Sequence, residues 1–226
     1  MIYFEGISKI YSPTAIALKN INLQIEPKEF VSVVGPSGAG KSTLLKLLIA
    51  EERPSEGRVF LDGTEVTALR ARELPYLRRR VGIVFQDFKL LTSKTAYENV
   101  AFAMEAAGRG EEEIQESVPE ALELVDLADK GERFPHELSG GEKQRVAIAR
   151  AIINQPDVLM ADEATGNLDP VNSWEIVRLL EKINQLGTTV IMATHNKQIV
   201  DHLGRRVISI EKGEVVRDEE KGKYIL

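Results

Sequence analysis

Residues 29–50, "EFVSVVGPSGAGKSTLLKLLIA", decide the fold. The opening "EFVSVVG" is nearly continuous, apolar and β-branched, and such a run reads as a strand covered on both faces, the kind found in parallel sheets. The closing "KSTLLKLLIA" has a helical pattern. Between them "GPSGAGKS" matches G-x-x-x-x-G-K-[ST] in the strand–turn–helix setting that the pattern requires. Polyphosphate chemistry explains the residue types. Gly38 and Gly40 allow the backbone to approach phosphate oxygens and aim N–H groups at them. The helix that begins near Lys41 adds its positive dipole end. The Lys41 ammonium is expected to reach the β- and γ-phosphates, and the Ser42 hydroxyl to ligate Mg²⁺. Gly35, Pro36, Ser37, Ala39 and Thr43 complete the expected nucleoside-triphosphate cradle.

Around this unit the chain alternates strand and helix. "IYFEGIS", "LKNINLQI" and "GRVFLDG" alternate apolar and polar residues between turn signals, as half-buried antiparallel strands do. From Gln86 to Asn154 the pattern is mainly helical, with "AYENVAFAMEAAGR" and "EEIQESVPEALELVDLA" as its clearest stretches. Buried strands return in "VLMADE" and "TTVIMATH", separated by the helix "NSWEIVRLLEKINQLG". The tail reads as a hairpin about Lys212 and Gly213. The expected fold class is α/β of the P-loop NTPase kind, a mostly parallel core sheet with an N-terminal antiparallel β subdomain and an inserted helical subdomain. A single domain is expected, its core formed by residues 1–86 and 157–226 and its helical insertion by 87–156.

Composition bounds the partners. The chain has 226 residues, a formal net charge of −6 and no cysteine. An acidic balance gives no overall field for nucleic acid, so no nucleic-acid partner is expected. Without cysteine there is neither a disulfide framework nor a thiolate site. The start "MIYFEGISKIYS" lacks the layout of a secretion signal. No apolar run approaches the roughly 18 residues of a membrane span; "LLKLLIA" is interrupted by Lys46. The one basic cluster, Arg78, Arg79 and Arg80, reads as a solvated face.

Two further stretches carry charge and backbone donors. "DVLMADE" sets Asp162 at the C-terminal end of an apolar strand, where open α/β sheets bind ligands and where a carboxylate can hold Mg²⁺. Glu163 follows, placed to orient or deprotonate an attacking water. "LSGGEKQRVAIARA" starts a second helix from glycines. Ser139 can cap it, with Glu142 three residues on to complete a capping box. Val146, Ala149 and Ile153 form its buried stripe. Two glycines in a first turn weaken a helix by about 1 kcal/mol each relative to alanine. Gly140 and Gly141 make sense if a phosphate sits against bare backbone N–H groups.

With these motifs in this order, the sequence resembles the ATP-binding-cassette ATPases, whose signature L-S-G-G-[EQ] stands here as residues 138–142. The resemblance covers essentially the whole chain. It implies Mg²⁺-dependent ATP hydrolysis by a head-to-tail homodimer, with Ser139, Gly140, Gly141 and Glu142 facing the ATP held by the other copy. It further implies that Tyr11 stacks on adenine, that Gln86 senses Mg²⁺ and contributes to its site, that Asp169 lies at the dimer interface and that His195 contacts the γ-phosphate. In this scheme Glu163 activates water while His195 and Lys41 stabilise developing charge. Relatives commonly read D-E-P-T where this chain has Ala164, which gives up the fixed φ of proline.

Within the family, "ELPYLRRRVGIVFQDFKLL" and "TAYENVAFAMEAAG" most resemble bacterial cell-division members that work with an integral membrane partner on the cytoplasmic side of the membrane. Asp87, Phe88, Leu90 and Leu91 then read either as an exposed-looking groove for a short partner helix or as a simple hinge that packs on its own helices. The alternative within the family is the ATPase of a lipoprotein or macrolide exporter. Chromosome-associated relatives would need a long coiled coil, and the stretch between cradle and signature sustains no heptads.

Overall fold

The computed structural model describes residues 1–224. In chain order its elements are β1 (Ile2–Ser12), β2 (Ala15–Ile25), β3 (Phe30–Val34), α1 (Lys41–Leu48), β4 (Glu56–Leu61), β5 (Thr64–Glu65), α2 (Leu74–Arg79), β6 (Val81–Phe85), α3 (Ala96–Ala107), α4 (Glu111–Leu124), α5 (Gly140–Ile152), β7 (Val158–Asp162), α6 (Pro170–Gln185), β8 (Thr189–Thr194), α7 (Lys197–Leu203), β9 (Arg206–Glu211) and β10 (Glu214–Glu219). They fall into two compact units, one made of residues 1–78 and the chain from Thr189 onward, the other of residues 79–188.

The first unit contains two layers of strands. In one, β1 lies antiparallel between β2 and β4, with short β5 beyond β4. Leu18, Ile21, Leu23 and Ile25 of β2 are buried, while Asn20, Asn22 and Gln24 are exposed. The alternation slips once, where the register runs Ile7↔Ile21 and then Lys9↔Leu18, and Asn20 at φ +47° takes up the extra residue as a bulge. In the other layer the order is β10-β9-β3-β8, with β3 parallel to both β8 and β9. Every residue of β3 and β8 is buried, as the apolar β-branched runs predict. The tail hairpin turns on Lys212 (φ +48°) and Gly213 (φ +80°), two left-handed residues that match the twist of the strands they join.

The second unit pairs β6 with β7 in parallel and contains α3, α4, α5 and α6. Thr95 caps α3 in a reciprocal box with Glu98, and Gly108 ends the helix in a left-handed conformation. Asp169 caps α6 and Pro170 occupies its first turn, where the missing N–H costs nothing. Residues 86–95 lie outside any helix, because the box at Thr95 starts α3 only at Ala96. The strands β1 and β2 extend further than their alternation suggests, to Ser12 and from Ala15. The arginines expected to form a solvated face are exposed at Arg78 and Arg79 and half-buried at Arg80, and each also makes a structural hydrogen bond. Arg78 donates to the Ile49 carbonyl at 3.3 Å, Arg79 to that of Ala106 at 3.3 Å, and Arg80 to Asp157 at 2.6 Å. Among the described residues no helix is long and apolar enough to cross a membrane.

Candidate functional site

In the first unit the cradle leaves the end of β3. Val34 pairs with Thr194 of β8 in parallel register, so Gly35 and His195 both depart from the same end of the sheet. His195 is exposed there. The loop is tied down by backbone at one point: Gly213 N–H donates to the Ala39 carbonyl at 3.2 Å, and Gly213 is itself fixed by Lys19 N–H, which donates to its carbonyl at 2.8 Å. That closeness sets the glycines. At Gly40 (φ +110°) a Cβ would lie 2.4 Å from the Ala17 oxygen, so no other residue fits. Gly38 (φ +77°) has nothing within 4 Å of such an atom, so its glycine answers a left-handed backbone on an open surface.

Gly40 caps α1 without a side-chain hydrogen bond, so the N–H groups of the first turn are left to the loop and to whatever it holds. Lys41 is buried, and its Nζ donates to the Gly35 carbonyl at 2.8 Å and to Pro36 at 3.2 Å. The ammonium therefore lies inside the arch of the loop. Pro36, Ser37, Gly38 and Ser42 are exposed, Thr43 half-buried and Ala39 buried. Backbone donors around one cation are an arrangement that can hold an anion. Tyr11 is 53% exposed, and Lys9 Nζ lies 4.8 Å from its ring centroid, holding the aromatic plane in place.

The second unit repeats this logic at a parallel strand pair. Phe85 of β6 is opposite Asp162 of β7, so Gln86 and Glu163 leave adjacent strand ends together. Asn167, which sequence reasoning did not single out, joins them: Gln86 Nε2 donates to Asn167 Oδ1 at 3.2 Å and Asn167 Nδ2 donates to the Gln86 carbonyl at 3.0 Å. Glu163 itself has φ +52°, a conformation that costs a non-glycine residue on the order of 1 kcal/mol and that clusters at functional positions. Its carbonyl accepts from Gly166 N–H at 2.9 Å, closing the turn. Ala164 beside it is buried. The Asp169 carboxylate is drawn below the usual carboxylate range by the Asn172 backbone N–H and side chain that it accepts from.

The second glycine-led helix forms as its sequence predicts. Ser139 Oγ accepts from Glu142 N–H at 3.3 Å, and Glu142 Oε2 accepts from Ser139 N–H at 2.7 Å. Val146, Ala149 and Ile153 are buried. Two details refine the expectation. The other Glu142 oxygen pairs with Lys130, and this pair, with the Ser139 N–H, pulls the Glu142 pKa down to about 2. Glu142 is thus engaged within its own chain on both oxygens. A Cβ on Gly141 would lie 2.2 Å from Asn172 Oδ1, so Gly141 is explained by the close approach of α6. Gly140, whose added Cβ would meet only the Leu168 Cδ2 at 3.4 Å, keeps the phosphate rationale.

Residues 87–91 form a compact turn. Asp87 is exposed, but Phe88, Leu90 and Leu91 are half-buried, less open than their sequence suggests. Phe88 and Lys89 have φ +60° and +46°. Asn99, wholly buried, accepts from Leu91 N–H at 2.8 Å and donates to the carbonyls of Leu91, Lys94 and Thr95. Arg150 of α5 donates to the carbonyls of Phe88 and Lys89, and burial lowers its pKa. A helical signal was available here: Arg150 lies four residues after Val146 and three before Ile153, on the buried stripe.

The family model described as ABC transporter matches residues 18–166. The chain is 52% identical over 224 residues to the "Cell division ATP-binding protein FtsE" of Bacillus subtilis (strain 168), covering 99% of this chain and 98% of that protein. It is 52% identical over 225 residues to the protein of the same name from Mycobacterium tuberculosis (strain ATCC 25618 / H37Rv), with the same coverage. Among solved structures, a dimeric post-hydrolysis state of the ATP-binding cassette MJ0796 bound to ADP and Pi superposes with a TM-score of 0.89 at 38% identity, over 99% of this chain and 100% of that one.

Proposed function

This chain belongs to the ABC transporter family, and we propose on that premise that it is the ATPase subunit of a membrane-associated bacterial cell-division complex. The observation that carries the reading is near-complete coverage at about half identity to cell-division ATP-binding proteins, in a chain whose cradle turns on left-handed glycines at Gly38 and Gly40. It binds and hydrolyses ATP.

The geometry within each unit supports the following residue roles. The loop from Gly35 to Thr43 presents N–H donors to the phosphates, and Lys41 supplies the cation among them. Tyr11 offers an exposed, steadied ring for adenine, and His195 reaches the γ-phosphoryl oxygens from the neighbouring strand end. Glu163 orients and deprotonates the water from a left-handed turn that Gly166 closes. Magnesium, when bound, neutralises phosphate charge, and the Ser42 hydroxyl, the Gln86 amide oxygen and the Asp162 carboxylate are hard oxygen donors of the type it takes.

Two copies pair head to tail, each offering Ser139, Gly140 and Gly141 to the ATP of the other, with Asp169 at their interface. In this pairing Glu142 acts mainly as the cap that orders those donors. The integral membrane partner is FtsX, which holds the protein on the cytoplasmic face of the membrane and docks a short helix against Asp87, Phe88, Leu90 and Leu91. Hydrolysis then bends that partner to control cell-wall hydrolases. Co-purification with FtsX from detergent-solubilised membranes tests the reading. Wild type is expected to retain FtsX, and Phe88→Asp to lose it while still binding ATP. An unchanged yield of FtsX with Phe88→Asp would remove the docking role of the segment. Absence of FtsX from the wild-type preparation would overturn the cell-division assignment.

A further inference from the structure

The turn that follows Gln86 is held from one side by a single side chain. Phe88 and Lys89 are consecutive non-glycine residues in left-handed backbone, a conformation that relaxes unless something fixes it. Arg150, in the last turn of α5, meets both of their carbonyls: Nη2 donates to Phe88 O at 2.9 Å and Nη1 to Lys89 O at 2.7 Å. A planar fork spanning two consecutive acceptors fixes their relative orientation, which the single ammonium of a lysine does not. The usual duty of a cation at a helix C-terminus is to meet the helix's own last carbonyls. Here both bonds go to the loop. A second contact comes from the same helix, Gln144 Nε2 to the Phe85 carbonyl at 3.4 Å, from a side chain that is wholly buried. The helix that starts at Ser139 therefore grips residues 85–89 at two points, one on each side of Gln86.

We propose that Arg150 is a positioning residue that locks the Phe88–Lys89 turn to α5, so that the signature end of that helix and the segment carrying Gln86 move as one body. The inference deepens the roles assigned above to Gln86 and to residues 87–91, and it rests on them for its effect on turnover. Its effect on the segment's order stands without them.

The experiment compares full-length wild type, Arg150→Gln, Arg150→Lys, Lys89→Gly and Arg150→Gln combined with Lys89→Gly. Hydrogen exchange is read at residues 86–92, with residues 170–185 of α6 as the internal control, alongside steady-state ATPase kinetics. In Arg150→Gln, exchange at 86–92 is expected to rise about tenfold or more, since both charge-assisted hydrogen bonds are lost or weakened, with α6 unchanged. The kcat should fall about tenfold while KM for ATP stays within about twofold, the split expected of a residue that orients other groups and does not bind ground-state substrate. Arg150→Lys should recover only part of both. Glycine holds left-handed backbone without a clamp, so Lys89→Gly in the Arg150→Gln background should regain turnover relative to Arg150→Gln alone. An arginine that served only general stability would not be rescued in this way. Unchanged exchange at 86–92 in Arg150→Gln, an equal rise across α6, or no rescue by Lys89→Gly overturns the proposal. Gln86→Ala separates the two layers. If that variant keeps full turnover while the exchange pattern holds, the functional reading of Gln86 falls and the clamp stands.

Discussion

Gly141 is buried, and a methyl group in its place would press on Oδ1 of Asn172, whose backbone N–H donates to the capping carboxylate of Asp169. Gly141→Ala is expected to lower stability by roughly 1–3 kcal/mol, the ordinary cost of overpacking, read as a fall in the thermal midpoint. Gly140 has room for the same methyl group. Gly140→Ala should leave the midpoint unchanged or raise it slightly, by roughly 0.5 kcal/mol of helix propensity, and yet lower ATPase activity by obstructing phosphate approach to the backbone. Equal thermal losses in the two variants would contradict this assignment. Glu142 gives a pH-dependent companion test. Its folded pKa, about 2, lies below the roughly 4.3 of an unfolded glutamate, so its stabilising contribution is complete above about pH 5 and is lost as pH falls from there toward 2. Wild type and Lys130→Met should therefore differ in unfolding free energy at pH 6 and converge toward pH 2; a difference independent of pH would rule out the Lys130–Glu142 pair as its source. Legibility at this scale follows chemistry. Gly40, Lys41 and Ser139 were readable because phosphate and helix caps admit few residue types. Asn167 and Lys130 were not, since their partners are an amide, a carbonyl and a carboxylate brought near only by the folded chain, and Arg150 stood on a readable buried stripe while its carbonyl partners were equally hidden.

The elements divide along similar lines. Strands β3 and β8 were readable because burial on both faces leaves only apolar residues, α5 because it begins on a reciprocal cap, Ser139 with Glu142, and α3 from its helical pattern, its own cap of Thr95 with Glu98 emerging only in the structure. The stretch from Gln86 to Lys94 had no such signature. Its order comes from side chains elsewhere, Asn99 above all. That amide is wholly buried inside α3 and makes hydrogen bonds to Leu91 N–H and to the carbonyls of Leu91, Lys94 and Thr95. A polar side chain at that depth is paired or costly, and here it substitutes for the secondary structure the segment lacks. Asn99→Leu keeps the volume and strands those backbone groups, so urea unfolding should show a loss of about 3 kcal/mol. Exchange at the Leu91 amide should rise with it. A loss below about 1 kcal/mol would mean that water replaces the amide at little cost, and that the segment is ordered by other contacts.

At the scale of the whole molecule, the chain supplies a cradle and a signature, and a single nucleotide needs only one glycine-led helix start. The proposed head-to-tail pairing gives the second start its use, and it makes turnover a property of two chains. Phosphoryl transfer is mostly positioning and electrostatic stabilisation, so a lone chain lacking donors on one side of the γ-phosphate should be a poor ATPase. Specific activity is then expected to rise with protein concentration below the dimerisation constant and to level off above it. Each chain carries a formal net charge of −6 before nucleotide is added, so like-charge repulsion opposes pairing. Moderate salt, by screening exposed charge beyond about 10 Å, should shift the rise to lower protein concentration. Glu163→Gln removes the base and keeps the oxygen donor, so the ATP-bound pair should accumulate. In size-exclusion chromatography with light scattering this variant should run at 25.1 kDa without nucleotide and at twice that mass with ATP and magnesium. A concentration-independent specific activity, together with a Glu163→Gln variant that remains a single chain in ATP, would mean that each active centre is complete within one polypeptide and that Gly140 faces no phosphate.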